Sequence, residues 1–551
     1  MKKKVVIIGA GPAGLTAGYY LLKNNKDYEV TILESSNQVG GLSKTINYDG
    51  NRMDLGGHRF FTKDDRVNEI WQELMKVQGT GSYDDIKLDT KKEFSVNGPN
   101  PEKEDNVFLV RNRVSRIYYK KKFFDYPVNL SFNTIKNLGF IQTMESGFSY
   151  LKSTVVKKDE TNLENFYINR FGKKLYNIFF KGYTEKLWGR SPEFIDSSWG
   201  SQRVKGISIK EVLKDYFCKI FKINNKNKQT SLIESFNYPK YGPGQMYEEM
   251  EKQIIKNGGT ILKEHEVIKI NNKNNKIESV ICLNNNKKKE IKGDIFISSM
   301  PIKDLINGMN SVPKKVNYIA TNLPYRDFIT VGLILNNLKI KNKTKIKTLN
   351  NNIPDCWIYV QSTDVKLGRI QVFNNWSPYL VKDIDNTISL GLEYFCNEND
   401  EFWNKTNKEL LELATNELIK MGIIENKDNV LNYHVEKIKK AYPAYFDTYK
   451  DFNIVRKYLD KYTNLYCIGR NGQHRYNNMD HSMECAITCI DNILNNKKDK
   501  SNIWNVNTER EYHEKKWNKK IFKWLYEMDS LENSNSNFII ITNIIKFQYK
   551  I

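Results

Sequence analysis

Residues 4–8 read as a short apolar run, the pattern of a parallel strand covered on both faces. Residues 15–22 carry helical spacing, and residues 28–33 read as a second strand. Further along, 65–75 read as a helix, and 107–110 and 116–124 read as the two arms of a hairpin, which 126–130 breaks off. From about 131 to 217 the apolar positions, among them Phe166, Phe171, Leu175 and Phe179, recur mostly at helical intervals, which predicts a helical insertion. Residues 264–297 alternate strands with Asn- and Lys-rich turns, as a hairpin would. Residues 317–449 mix strands at 328–335, 355–361, 368–374 and 389–395 with a helix at 407–421, which predicts an antiparallel sheet domain. Two further strands are expected at 294–299, closing on Met300-Pro301, and at 465–468, running into Gly469-Arg470; a helix follows at 480–494.

The turn after the first strand is Gly9-Ala10-Gly11-Pro12-Ala13-Gly14, and the second strand ends in Glu34, twenty positions past Gly14. Strand, G-x-G-x-x-G, helix, strand and acid in that order predict a dinucleotide site. Gly9 makes the tight turn, Gly11 lets backbone approach a pyrophosphate, and Gly14 lets the helix pack on the strand. The helix N-terminus offers free N–H groups and the positive end of its dipole to phosphate, and Glu34 is the acceptor for an adenosine ribose.

Charge changes the picture less than its size implies. Lys and Arg number 86 against 64 Asp and Glu, a net +22. Much of the excess sits in polar Asn/Lys stretches such as 223–228 and 271–276, where lysine solvates a loop. No basic run is interleaved with stacking aromatics, so no nucleic-acid partner is expected. Seven cysteines, an odd number without a C-x-x-C pair, predict neither a disulfide framework nor a metal site. Mean hydropathy is −0.61, and no apolar run approaches the roughly 18–20 residues that span a bilayer, so no transmembrane segment is expected. The basic start gives way to only four apolar residues before Gly9, too few for a secretory signal, which makes the cytoplasm the expected compartment.

Paired glycines beyond the second strand, Gly40-Gly41 and Gly56-Gly57-His58, resemble those of the FAD-binding amine-oxidase-like flavoproteins. Several segments together resemble the UDP-galactopyranose mutases. Gly182-Tyr183-Thr184-Glu185-Lys186-Leu187-Trp188-Gly189-Arg190-Ser191 is similar to that family's signature, whose bacterial members usually have Gln at the place of Leu187. Tyr126-Pro127-Val128-Asn129 resembles its tyrosine/proline loop, and Gly57-His58 its histidine loop. Gly469-Arg470 and Asn477-Asn478-Met479-Asp480-His481-Ser482 resemble its C-terminal flavin segment, where Gln is usual instead of Met479. The likeness is patchy and runs from about residue 4 to 494; residues 502–551 take no part in it.

The resemblance implies an FAD enzyme, active with the flavin reduced, that interconverts pyranose and furanose forms of a nucleotide sugar, by default UDP-galactopyranose and UDP-galactofuranose. In that chemistry flavin N5 attacks the anomeric carbon and expels UDP; the sugar opens and recloses, and UDP returns. A nucleotide-sugar substrate, UDP-linked by default, and a reductant such as NAD(P)H follow as partners. Guanidinium groups suit the diphosphate, being permanently charged and bidentate. Arg203 matches the family's mobile-loop arginine, and Arg369, ten residues after Tyr359, lies in strands similar to its diphosphate-binding ones. The roles implied are catalytic for His58, Arg203 and Arg369, and substrate-binding for Tyr359, Tyr442, Arg470 and Trp188. Gly9, Gly11, Gly14, Glu34, Gly41, Gly57 and Asn478 would hold the cofactor. His474 and His481 are expected to be structural.

The fold class expected is α/β: a discontinuous Rossmann-like FAD-binding domain with an inserted helical domain and an antiparallel β-sheet domain. The FAD-binding parts are 1–75, 239–310 and 455–496. The mainly helical insertion with its hairpin is 76–238, the antiparallel sheet domain is 311–454, and 497–551 is a C-terminal extension. The competing reading is an FAD-dependent oxidoreductase of the amine-oxidase or protoporphyrinogen-oxidase type, which shares the glycine motifs but has no use for paired diphosphate arginines. A third is a basic flavoprotein without catalytic activity that binds nucleic acid or an anionic membrane surface.

Overall fold

A computed structural model describes residues 2–126, 132–197, 199–200 and 235–507. These residues fall in one contact unit; a second, residues 225–232 and 513–551, lies outside them. So do Arg203, Pro127, Val128 and Asn129.

The fold is α/β, with a Rossmann-like domain assembled from distant segments. Its five-stranded sheet has the order Thr260–Leu262, Tyr28–Leu33, Lys3–Ile8, Ile295–Ser298, Leu465–Cys467, with every pair parallel. Both faces are covered from Val5 onward, which is why residues 5–8 are apolar without a break. Val5 and Ile7 face a core shared with the helices Pro12–Asn24, Pro243–Lys256 and Met479–Leu494. Val6 and Ile8 face a second core with Phe296, Ile302, Leu305, Ile319 and Leu459. The strands expected at 294–299 and 465–468 thus return to the sheet begun at residue 3. The edge strand Thr260–Leu262 was not anticipated; three residues carry too little periodicity to be read.

Residues 264–297 form a three-stranded meander rather than a hairpin: Glu266–Lys273, Lys276–Asn284 and Lys287–Lys292. Its two-residue turns, Asn274-Asn275 and Asn285-Asn286, have φ of 50°, 56°, 46° and 62°. These are left-handed values that asparagine tolerates and that match the twist of a tight hairpin.

A seven-stranded sheet has the order Val430–Pro443, Tyr325–Leu335, Ile388–Cys396, Arg369–Val372, Trp357–Val360, Ser115–Tyr119, Lys122–Asp125. It is antiparallel except where Trp357–Val360 runs parallel to Ser115–Tyr119. One face is apolar and packs under the helix Asn407–Met421 through Leu410, Ala414 and Leu418 against Ile358, Ile370 and Leu392. The alternate residues of the same strands, Tyr359, Arg369 and Glu393, point the other way.

The expected hairpin of 107–110 with 116–124 is not formed. Val107–Asn112 pairs instead with Lys76–Val77 and Ser235–Pro239, and 116–124 is itself folded back into the Ser115–Tyr119 and Lys122–Asp125 arms. The turn is Lys120-Lys121 at φ 49° and 59°, a conformation that lysine rarely supplies, so no glycine or asparagine marked it. That hairpin extends the antiparallel sheet. The strand Val430–Pro443 was also not anticipated; it lies at the sheet's edge, and its charged and polar residues hide the period. Of the helical stretch expected from 131, the described part holds helices at Phe132–Leu138, Phe140–Val155, Leu163–Tyr176 and Gly182–Trp188.

Two glycines test the packing in opposite directions. A Cβ at Gly14 would stand 1.8 Å from the Gly9 carbonyl oxygen, a backbone atom that cannot swing away. Gly14→Ala should cost at least about 2 kcal/mol in urea unfolding. At Gly147, inside Phe140–Val155, a Cβ would meet nothing within 4 Å. Gly147→Ala should therefore gain about 0.5–1 kcal/mol from helix propensity alone. Equal midpoints for the two variants would contradict this account.

Candidate functional site

At the nucleotide end, Gly9 takes φ 97°, and a Cβ there would meet Ser299 Oγ at 2.3 Å. Gly11 is the N-cap of Pro12–Asn24 and no side chain caps that helix, so its first N–H groups face the turn unsatisfied by the chain's own caps. Gly40 and Gly41 are left-handed, at φ 102° and 54°, and a Cβ on Gly41 would stand 3.1 Å from Gly11 Cα. Two stretches of bare backbone therefore face one another. Glu34 Oε2 accepts from Ala10 N at 2.8 Å, and Oε1 accepts from Ser36 N at 2.9 Å and Ser36 Oγ at 2.8 Å. Its carboxylate ties the two turns together and keeps further lone-pair capacity.

Gly57 has a different reason to be glycine: a Cβ would overlap the Trp357 ring at 1.6 Å. That contact joins the glycine–histidine loop to the seven-stranded sheet. His58 beside it has a buried Nδ1 with no hydrogen-bond partner. Burial, reinforced by the positive charge of Arg470, pulls its pKa down to about 4. Asn478 is the N-cap residue of Met479–Leu494, and its N–H donates to His481 Nδ1 at 3.3 Å. Arg470 is fixed by donating Nε to the Asn477 carbonyl at 2.8 Å and Nη1 to the Ala441 carbonyl at 3.1 Å.

The charged row of the candidate site is built by strand register. Tyr359 is paired with Arg369, and Arg369 with Glu393, so the three form one row across adjacent strands. Arg369 is 7% exposed and Glu393 0%. Arg369 Nη1 lies 3.1 Å from Glu393 Oε2 and donates to Tyr442 Oη at 3.1 Å, while Nε donates to Tyr183 Oη at 2.6 Å. Gln371 Nε2 donates to the other Glu393 oxygen at 3.1 Å. Burial raises the Glu393 pKa and Arg369 opposes the rise. Aromatic rings continue the row in both directions. Tyr359 packs on Tyr126 at 4.5 Å between centroids, and Tyr442 stacks on Tyr476 at 5.7 Å. The Arg470 guanidinium lies 4.6 Å from the Tyr476 ring.

The structure thus brings Arg369, Tyr359, Tyr442 and Arg470 together, with His58 near Arg470. Trp188 is 3% exposed and packs edge-on against Trp199 and Phe446, within the hydrophobic core that also holds Tyr442. Arg203 lies outside the described residues. Sequence reasoning assigned no role to Tyr183, Glu393, Tyr476 or Lys186. Lys186 Nζ donates to the carbonyls of Val360 at 3.2 Å, Ser362 at 2.9 Å and Leu367 at 2.8 Å. It clamps the loop between the Tyr359 and Arg369 strands. Tyr183 and Lys186 were visible inside the quoted Gly182–Ser191 segment. Glu393 carried its own signal, a lone acid in the middle of the apolar strand Ile388–Cys396. Among the described residues no cluster of His, Cys, Asp or Glu could hold a metal ion.

Residues 7–74 match a family model described as an NAD(P)-binding Rossmann-like domain. A kynurenine 3-monooxygenase of Emericella nidulans is 33% identical over 140 residues, 23% of this chain and 27% of that protein. The chain spans less than a third of the length of the curated relatives that it matches first. A crystal structure of reduced UDP-galactopyranose mutase superposes with TM-score 0.70 at 22% identity, over 93% of this chain and 100% of that one. A protein of Exiguobacterium sp. 255-15, provisionally named a protoporphyrinogen oxidase, superposes with TM-score 0.63 at 14% identity, over 90% and 100%. The chain shares its overall fold, with its Rossmann-like domain, with these two structures. Among the described residues no helix is long and apolar enough to cross a membrane.

Two outcomes follow from the charges. His58 holds a folded pKa near 4 against an ordinary 6.5, so it is neutral at pH 7. Below pH 6.5 the unfolded chain takes up a proton that the folded site refuses, and stability falls until about pH 4. His58→Gln should remove on the order of 2–3 kcal/mol of that loss. Asp54, buried and raised to about 7, works in the opposite direction, so the comparison is of the variant's pH profile with the parent's. An identical slope in both would contradict the assignment. At the row, Arg369→Met leaves Glu393 buried without its cation and should cost about 3–5 kcal/mol. Adding Glu393→Gln should recover most of it, as read by urea midpoints of the single and double variants.

Proposed function

We propose that the chain is a flavin-dependent nucleotide-sugar mutase that interconverts pyranose and furanose forms, by default of UDP-galactose. The observation that carries this reading is the Tyr359–Arg369–Glu393 row, flanked by the Tyr183 and Tyr442 hydroxyls and continued by Arg470 toward His58. The glycine turns, the uncapped helix N-terminus and the orphan His58 Nδ1 fit FAD laid along the parallel sheet. Gly9, Gly11, Gly14, Glu34, Gly41, Gly57 and Asn478 would hold it, and when bound and reduced it supplies the nucleophile for the anomeric carbon.

The chain's own residues would handle the leaving group. Arg369 offers a charge that cannot be lost by deprotonation, already oriented by Tyr183 and Glu393, so little reorganisation is needed when a diphosphate forms. Tyr359 and Tyr442 would donate phenolic hydrogen bonds to its oxygens. Arg470 would attract negative charge at the flavin end while keeping His58 neutral, free to make a hydrogen bond through Nδ1. Arg203, which lies outside the described residues, would supply a further guanidinium for the diphosphate.

The test is chromatography of UDP-galactofuranose incubated with the dithionite-reduced protein, where a UDP-galactopyranose product is expected. Absence of conversion with several nucleotide sugars would sink the proposal. UDP should also perturb the flavin spectrum of the purified protein. Arg369→Lys, which keeps the charge but loses the planar fork, should weaken that response about ten-fold while flavin is retained. The likeness to a protein provisionally named a protoporphyrinogen oxidase favours a second reading, a net oxidoreductase acting on an amine, porphyrin-like ring or polyene. Oxygen consumption with such a substrate, in the absence of mutase turnover, would select it.

A further inference from the structure

The helix Phe140–Val155 is built inside out. Its buried side carries small polar residues, Ser146 and Ser153, whose hydroxyls donate back to the Gln142 and Tyr150 carbonyls at 2.7 and 2.8 Å. These let it approach the helix Leu163–Tyr176 closely, where a Cβ on Gly172 would stand 2.7 Å from Tyr150 N. The large apolar side chains face out: Phe140, Ile141, Met144, Phe148, Leu151 and Val155. Phe140 is 75% exposed, Phe148 66% and Val155 82%. At about 100° per residue these six fall within an arc of about 100°, opposite the two serines. Together with Val156 they expose on the order of 800 Å² of mostly apolar surface, above the roughly 300–600 Å² of the largest patch on a typical monomer.

The charges around the stripe choose among occupants. Lys136, Lys152, Lys157 and Lys158 are exposed at its ends and side, and Lys122 is anchored beside it on the Asn137 carbonyl. The helix's one acid, Glu145, is tied to Lys174, and Glu160 is tied to Arg170, which leaves Asp159. A two-fold pairing with a second copy would set this cationic rim against itself. An anionic lipid surface would meet both features at once, taking the apolar stripe below the headgroups and the lysines among them.

We infer that Phe140–Val155 is a peripheral membrane-docking helix that seats the enzyme on an anionic lipid surface, lying in the interface rather than crossing it. This rests on the helical insertion alone and holds whether or not the chain is a mutase. The test is flotation of the full-length holoprotein with vesicles of equimolar phosphatidylcholine and phosphatidylglycerol, against phosphatidylcholine alone. The parent should float with the anionic vesicles, and added salt should weaken the binding. The double variant Phe148→Glu, Leu151→Glu should bind at least about ten-fold more weakly, with the same circular dichroism and flavin content. Three results would overturn the inference. They are a parent that does not float, a variant that floats as well as the parent, and a parent dimer that the variant breaks without lipid binding, which would give the stripe to a second copy.

Discussion

A guanidinium sealed from water has to be compensated where it stands, and much of the candidate site is the compensation of Arg369. An uncompensated charge in that position would cost several kcal/mol. Glu393 supplies the opposite charge from the next strand, and Tyr183 and Tyr442 take the remaining hydrogen bonds in reach. Glu393 needs support in its turn and receives it from Gln371, two positions along the Arg369 strand. Each partner has its own anchor. Tyr183 belongs to the short helix Gly182–Trp188, and that helix sends Lys186 back to clamp the loop between the Tyr359 and Arg369 strands. Tyr442 is held by stacking on Tyr476. The result is a buried ion pair whose guanidinium is held in a fixed orientation by its neighbours.

The same economy of approach governs the glycine-rich end of the candidate site. Where the chain must come close to a ligand or to itself it drops the side chain, and steric reasons differ from glycine to glycine. Gly14 is demanded by a carbonyl within its own domain, and Gly57 by a tryptophan of the other sheet. Gly57 is therefore a joint between the nucleotide domain and the charged row, and it sits next to His58. A histidine whose ring is buried beside an arginine stays neutral at physiological pH, so the positive charge in that neighbourhood belongs to Arg470. Arg369 and Arg470 are then linked through the stacked rings of Tyr442 and Tyr476, with a neutral imidazole near Arg470.

Against that ordered interior, the helical insertion presents an opposite physical choice. Small residues were placed where a neighbour helix needed room and large apolar ones where nothing in the described residues covers them. The overall +22 acquires a location in this light. Most lysines still look like loop solvation, as in the Asn- and Lys-rich meander, but those around Phe140–Val155 frame an apolar surface, and of the arginines the buried Arg369 belongs to the candidate site.

The sequence by itself determined the nucleotide-binding turn, four of the five parallel strands and most of the antiparallel ones, because those features follow from local rules: apolar runs, alternation, and glycine where φ is positive or backbone must touch backbone. It also named Arg369, Tyr359, Tyr442 and Arg470 through motif resemblance. Where a turn used lysine instead of glycine or asparagine, as at Lys120-Lys121, the local rule failed and the hairpin was placed wrongly. Short or polar edge strands, Thr260–Leu262 and Val430–Pro443, escaped for the same reason: too little period to read. Only the tertiary structure decided that Tyr359, Arg369 and Glu393 share one row, that Tyr183 and Lys186 reach it from nearly two hundred residues away, and that the Phe140–Val155 helix turns its apolar side outward. Strand register and helix facing are set by hydrogen bonds and packing between segments distant in sequence, and no local pattern carries that information.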